Sequence, residues 1–311
     1  MIKELFNEEL INFRQNFDFF VNLYNSRKLP QSLLFIGEKG IGKFNLFYHL
    51  INYILSKDED YKYDTKTYKV NLNNKTNKLL LQNTHPNFYF ISLRDNKKNI
   101  DISQIKNLKT FLNNTLLNDK PKIILINESE NLNLSSSNSL LKSLEENYVN
   151  VHFFLIHDIK KYLISTIKSR CIQFKFYLNE VQLKERINQI LDNQYEQLNS
   201  DFKNKYLSPI FYKDLFFYCQ KNDLSLDKIN LNGLLNDIFL KKDFKKNEFV
   251  LKNFFLLSQL FLHNRIKREP NKEKYYFLTK HLAQRFNDVI KYNLDFESYV
   301  IEFKYLAYNE K

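Results

Sequence analysis

Three of the four glycines in this 311-residue chain, Gly37, Gly40 and Gly42, fall within six positions, and the rest of the chain nearly avoids the residue. They lie in Gly37-Glu-Lys-Gly-Ile-Gly-Lys43, a G-x-x-x-x-G-K spacing. An apolar run precedes it (32–36, SLLFI) and a helical run follows (45–55), so the spacing sits in the strand–loop–helix context that a phosphate loop requires. Glycines let backbone N–H groups turn inward as an anion nest at a helix N-terminus, and the lysine can reach β- and γ-phosphates. A tight strand-to-helix turn is the plainer alternative. The concentration of glycine favours a phosphate loop, which makes Gly37, Gly40, Ile41, Gly42 and Lys43 candidate nucleotide-binding residues.

The next position changes what such a loop can do. A working loop needs Ser or Thr after the lysine to hold Mg²⁺, and here Phe44 offers no oxygen. A second apolar run, 122–126 (KIILI), leads into Asn127-Glu128-Ser129-Glu130. That is where a strand should end in an acid that orients the metal and a second acid that activates water. Asn127 supplies an amide at the first of these positions, and Glu128 alone keeps a carboxylate. Both departures weaken magnesium-dependent hydrolysis, while the nest and Lys43 leave ATP or ADP binding without hydrolysis open.

Five short runs rich in β-branched and aromatic residues recur between helical patterns: 32–36, 88–92, 122–126, 152–156 and 172–176. Near-continuous apolar strands separated by helices predict a parallel sheet covered on both faces, and so an α/β domain over residues 1–176. Beyond it the period becomes helical. Leu278, Leu282, Phe286 and Val289 form one stripe, and Phe296, Val300, Phe303 and Leu306 form another, both read as core. The boundaries predicted from pattern are a small helical domain at 177–225 and a helical bundle at 226–311. Residues 56–84, rich in Asn and Lys and poor in periodicity, are expected to form a surface excursion.

Composition narrows the remaining possibilities. The two cysteines, Cys171 and Cys219, have no Cys or His at metal-ligand spacing, which predicts neither a zinc site nor a disulfide framework and fits a reducing, cytoplasmic setting. The most apolar stretch, 249–262, is too short to span a bilayer and reads as a buried helix, so no membrane association is expected. A net charge of +12 leaves a basic face open to nucleic acid. It comes from 39 Lys against 8 Arg in a chain also rich in Asn, Ile, Tyr and Phe, the composition of an AT-rich genome, which weakens that reading. The six histidines are scattered and support no catalytic grouping.

A resemblance sharpens these readings. Residues 131–146 (NLNLSSSNSLLKSLEE) contain a segment similar to the clamp-loader pattern N-A-L-L-K-x-L-E-E-P, and 166–171 (TIKSRC) resembles T-I-x-S-R-C. His85-Pro86-Asn87 is similar to H-P-D, and 101–108 (DISQIKNL) to I-x-x-I-R-x-L. The chain thus resembles the AAA+ clamp-loader family over about residues 30–176, in order. The resemblance implies an AAA+ P-loop domain, a helical lid and an all-α collar. It implies that Arg170 acts as an arginine finger on a neighbouring subunit's ATP, where a guanidinium stabilises the transferring γ-phosphate; a structural ion pair is the alternative. It implies partners as well: gamma/tau-like ATPase and delta-like subunits, with the sliding clamp and primer–template DNA reached through the complex. The sequence departs from the family in having Asn147 for proline and no cysteines in 56–84, where relatives often carry a zinc module. The implied role is a non-hydrolysing subunit, with an active ATPase or a basic DNA-binding module as alternatives.

Overall fold

The computed structural model describes residues 2, 6–94, 97–114, 118–204, 207–268 and 272–308. The chain divides into two compact units, Met1–Arg186 and Ile187–Lys311.

The first unit is built on strands β1 Ser32–Gly37, β2 Phe88–Ile91, β3 Lys122–Ile126, β4 Val151–Asp158 and β5 Ile172–Lys175. All five fall on the predicted runs. They pair in parallel in the order β2-β3-β4-β1-β5. The helices are α1 Arg14–Asn25, α2 Lys43–Ser56, α3 Lys75–Leu81, α4 Ile102–Asn113, α5 Leu134–Glu145, α6 Ser165–Ser169 and the first part, to Arg186, of α7 Glu180–Ile190. This is the α/β domain with a parallel sheet that the sequence pattern predicts.

The strands are apolar throughout because alternate side chains serve opposite layers. Leu33 and Phe35 pack with Phe17 and Phe20 of α1 and Leu46, Phe47 and Leu50 of α2. Leu34 and Ile36 pack instead with Ile105 and Leu108 of α4, Leu140 of α5 and Ile167 of α6. Leu140 and Leu144 are buried and Leu141 half-buried, while Lys142, Glu145 and Glu146 are exposed.

The segment 56–84 departs from the expectation of a surface excursion. Tyr63, Val70 and Leu80 enter the same core as α1 and α2. Glu59 accepts from the backbone N–H of Lys75 (2.9 Å) and Thr76 (3.1 Å) at the start of α3, and Asn74 caps that helix through the N–H of Asn77. The Tyr48 hydroxyl donates to Asn77 Oδ1 at 2.6 Å. Side-chain hydrogen bonds, which leave no periodic signature, replace the apolar pattern here.

Two lysines and an asparagine turn motif residues into structural parts. Lys122, buried at the start of β3, donates to the carbonyls of Phe111 and Leu112 (both 2.8 Å) and to that of Asn114. A cation thereby closes the C-terminal end of α4. Lys120 donates to the Leu55 carbonyl of α2 at 2.7 Å. In the His85-Pro86-Asn87 turn, Asn87 Nδ2 donates to Asn118 Oδ1 and the Lys120 carbonyl, both at 2.9 Å.

His49 of α2 is fully buried, with Nδ1 2.9 Å from the Tyr63 hydroxyl and Nε2 2.9 Å from the Asn7 carbonyl. Burial pushes its pKa down from 6.5 to about 4, against a smaller opposing pull from the Asn7 carbonyl. The folded state therefore resists a proton that the unfolded chain accepts. Stability from this group is intact above pH 6.5 and falls as pH drops toward 4, by about 3 kcal/mol in all. His49→Gln should flatten that part of the profile. Urea midpoints measured between pH 4 and 7.5 check this, and an unchanged slope in the variant would remove His49 as the cause.

The second unit is helical: α8 Pro209–Lys221, α9 Leu231–Lys241, α10 Glu248–Arg268, α11 Lys272–Tyr292 and α12 Phe296–Phe303. Pro209 occupies the first turn of α8 behind the capping Ser208, and Gly233 lies in the first turn of α9, donating to its cap Asn230. Helix α10 contains the expected buried stretch, with Phe249, Val250, Phe254 and Leu257 inside. Leu278, Leu282, Val289, Val300 and Phe303 are buried as the two stripes predict, whereas Phe286, which stacks on Phe255 at 4.2 Å, Phe296 and Leu306 are only half-buried. Among the described residues no helix is long and apolar enough to cross a membrane.

With so few glycines the chain turns left-handed on other residues. Eleven described non-glycine residues have positive φ, among them Asn83, Asn150, Asp192, Asn193, Asp223 and Asn293.

Candidate functional site

In a parallel sheet all C-terminal strand ends share one edge, and the loop after β1 opens there. Gly40 and Gly42 have φ of 90° and 107°, a backbone region that side chains rarely adopt. Gly37 is glycine for a different reason. A Cβ there would come within 2.7 Å of the Phe176 carbonyl oxygen and of Ile41 Cδ1. Ile41 is buried in the core beneath the loop.

Lys43 does not project from the loop. Its Nζ donates to the carbonyls of Gly37 and Glu38, both at 2.6 Å, and the residue is almost wholly buried. Burial pushes its pKa down to about 8, although the charges of Asp158, Glu130 and Glu38 pull the other way. Two more cations bind protein oxygens at the same place. Arg186 Nε of α7 donates to the Gly40 carbonyl at 3.0 Å. Lys39 Nζ pairs with Glu128 at 2.5 Å; burial lowers the Lys39 pKa, but the Glu128 hydrogen bond and the nearby carboxylates outweigh it and raise the value overall.

The corner around Phe44 is aromatic. The ring of Phe44, half buried against the core, lies 6.1 Å from Tyr48 and 6.0 Å edge-on to Phe90 of β2. Asn127 follows β3 with its N–H bonded to the Ile91 carbonyl at 2.8 Å. Glu128 takes a left-handed φ of 56°, and its carboxylate is engaged by Lys39. Among the described residues no group of three or more His, Cys, Asp or Glu side chains is placed to hold a metal.

Sequence reasoning missed one cluster at this edge. Glu130 accepts from the Asp158 N–H at 3.1 Å and lies 3.4 Å from His157 Nδ1. Burial works to raise the Glu130 pKa, yet the hydrogen bonds from His157 and the backbone hold it below the usual carboxylate range. The signal was the parallel register: β4 places His157 beside Ile36 and Asp158 beside Gly37.

Thus Gly37, Gly40, Ile41, Gly42, Lys43, Phe44, Asn127 and Glu128 share one edge of the sheet, and Arg170 does not. Arg170 follows α6 and precedes β5, whose Ile172 pairs with Leu33. It is therefore level with Gln31, six residues before Gly37. At about 3.3 Å per residue this puts its backbone roughly 20 Å from the phosphate loop along the strand direction. Its side chain is about one-third exposed and bonds Glu145 of α5 and the Thr166 carbonyl.

The family model described as DNA polymerase III, delta subunit matches residues 14–180. A DNA polymerase III subunit delta' of Pseudomonas aeruginosa is 35% identical over 95 residues, covering 30% of this chain and 29% of that protein. The subunit of the same name from Buchnera aphidicola subsp. Baizongia pistaciae is 28% identical over 196 residues, covering 59% and 56%. The chain therefore spans between about a third and just over half of these relatives' lengths. A gamma subunit-related protein of Thermotoga maritima overlays with a TM-score of 0.48 at 16% identity, covering 91% of this chain and 96% of that one, a level of likeness that says nothing about its chemistry. With more than half of its residues matched by the family model, and with relatives that are delta' subunits, the chain belongs to the DNA polymerase III delta subunit family.

Proposed function

We propose that this chain is a non-hydrolysing, delta-prime-like subunit of a replicative clamp loader, and that it lends Arg170 to the ATP site of a neighbouring subunit. The observation that carries the reading is the contrast between the two ends of the sheet. At one end the magnesium ligands are absent, a phenylalanine ring packs beside the loop and Lys43 is bound by the loop's own carbonyls. At the other an arginine, one-third exposed, is far from the chain's own loop and able to serve only a different molecule's nucleotide. Its partners on this reading are gamma/tau-like ATPase and delta-like subunits, with residues 177–225 as lid and 226–311 as collar in the assembled ring. The sliding clamp and primer–template DNA are engaged through the complex. ATP or ADP, if bound by this chain, is held without turnover.

The isolated chain with magnesium and ATP should show no turnover that Lys43→Ala removes, whereas Arg170→Ala should lower the ATPase of the reconstituted complex. Turnover by the isolated chain that disappears in Lys43→Ala would make it an ATPase instead.

A further inference from the structure

The guanidinium of Arg170 has five N–H groups in one plane, and the surrounding chain uses three. Nε donates to Glu145 Oε1 at 2.6 Å and Nη2 pairs with the same oxygen, while Nη1 donates to the Thr166 carbonyl at 3.0 Å. Glu145 takes the edge shared by Nε and Nη2. The Thr166 carbonyl, four residues back in the arginine's own chain, takes the inner side of Nη1. What remains is the terminal edge, one N–H on each Nη, with the spacing that matches two oxygens of a phosphate.

The backbone on both sides of the pair is held in place. The Arg170 N–H bonds the Ile167 carbonyl at 3.1 Å, and its neighbours Ile167 and Cys171 are buried in the core. Glu145 is the last residue of α5, and the next residue is held in place: the Glu146 carbonyl accepts from Gln31 Nε2 at 2.8 Å, and its carboxylate accepts from the Tyr148 hydroxyl. The pair itself is solvated, with side-chain exposures of 34% for Arg170 and 50% for Glu145, so its contribution to folding is small. Its effect is on orientation.

We propose that Glu145 is the positioning residue for Arg170: it holds the guanidinium from behind, so that the terminal edge already faces outward before a neighbouring subunit's nucleotide arrives. This rests on the reading of Arg170 as a finger. A flexible arginine would have to be ordered during each catalytic event, and ordering done in advance appears in kcat rather than in binding of ATP.

The test compares Glu145→Ala, Glu145→Gln and Arg170→Ala in the reconstituted complex, using assembled material isolated by gel filtration, with kcat and the KM for ATP measured separately. Glu145→Ala should lower kcat at the adjoining site about tenfold with KM within about twofold, and Glu145→Gln, which keeps an acceptor oxygen, should recover part of the loss. An unchanged or raised kcat in Glu145→Ala, beside a clear loss in Arg170→Ala, overturns the positioning role and leaves the finger standing. A loss in Glu145→Ala that Glu145→Gln does not relieve, or that appears in KM, also overturns it. No effect of Arg170→Ala removes the finger and with it this proposal.

Discussion

Arg170→Ala should lower ATP turnover at the adjoining site of a reconstituted clamp loader by about a thousandfold, the lower end of the range for an arginine finger. The size of the effect follows from where charge develops. The γ-phosphoryl group spreads negative charge over its equatorial oxygens, and a guanidinium with two convergent N–H groups stabilises that charge where an alanine leaves water. In a multi-site complex the remaining sites continue to fire, so single-turnover hydrolysis at the site next to this chain is the measurement that isolates it. Folding of the chain should be unaffected, since the Arg170–Glu145 pair is solvated. Clamp- and DNA-stimulated turnover at that site equal to the unsubstituted complex would refute the finger role.

Phe47→Ala should destabilise the first unit by about 4 kcal/mol. Phe47 is fully buried on α2, stacked between Phe35 of β1 at 3.5 Å and Phe154 of β4 at 4.7 Å. It joins the helix that starts at Lys43 to the two central strands of the sheet. Truncation removes two ring contacts and leaves a cavity that the flanking strands, fixed by their ladders, cannot collapse into. A shift in urea midpoint at unchanged slope reads the loss, and a change below about 1 kcal/mol would show that the three rings do not act as one packing unit.

The sheet was legible because a doubly covered parallel strand needs apolar residues on both faces, and the runs 88–92, 122–126 and 152–156 have no other simple reading. The turn between β1 and α2 was legible because Gly37, Gly40 and Gly42 stand out in a glycine-poor chain, and Phe44 and Asn127 could be judged by the oxygens they lack. What the sequence did not disclose lies in contacts between distant positions. Arg170 and Glu145 are 25 residues apart, and nothing local says they pair. Lys43 folding back onto Gly37 and Glu38 is a backbone-carbonyl contact, invisible to any motif. The segment 56–84 was misread because its order comes from Glu59, Asn74 and Asn77, residues that composition assigns to loops.

The left-handed turns carry a consequence for how such a chain can evolve. Asparagine tolerates positive φ better than most residues but less well than glycine, so Asn83 and Asn293 each hold a little strain that glycine would relieve. These positions are far apart in sequence, and gains at independent sites add. A lineage that met glycine codons at such turns would gain thermal tolerance by small steps, with no core residue replaced and neither end of the sheet disturbed.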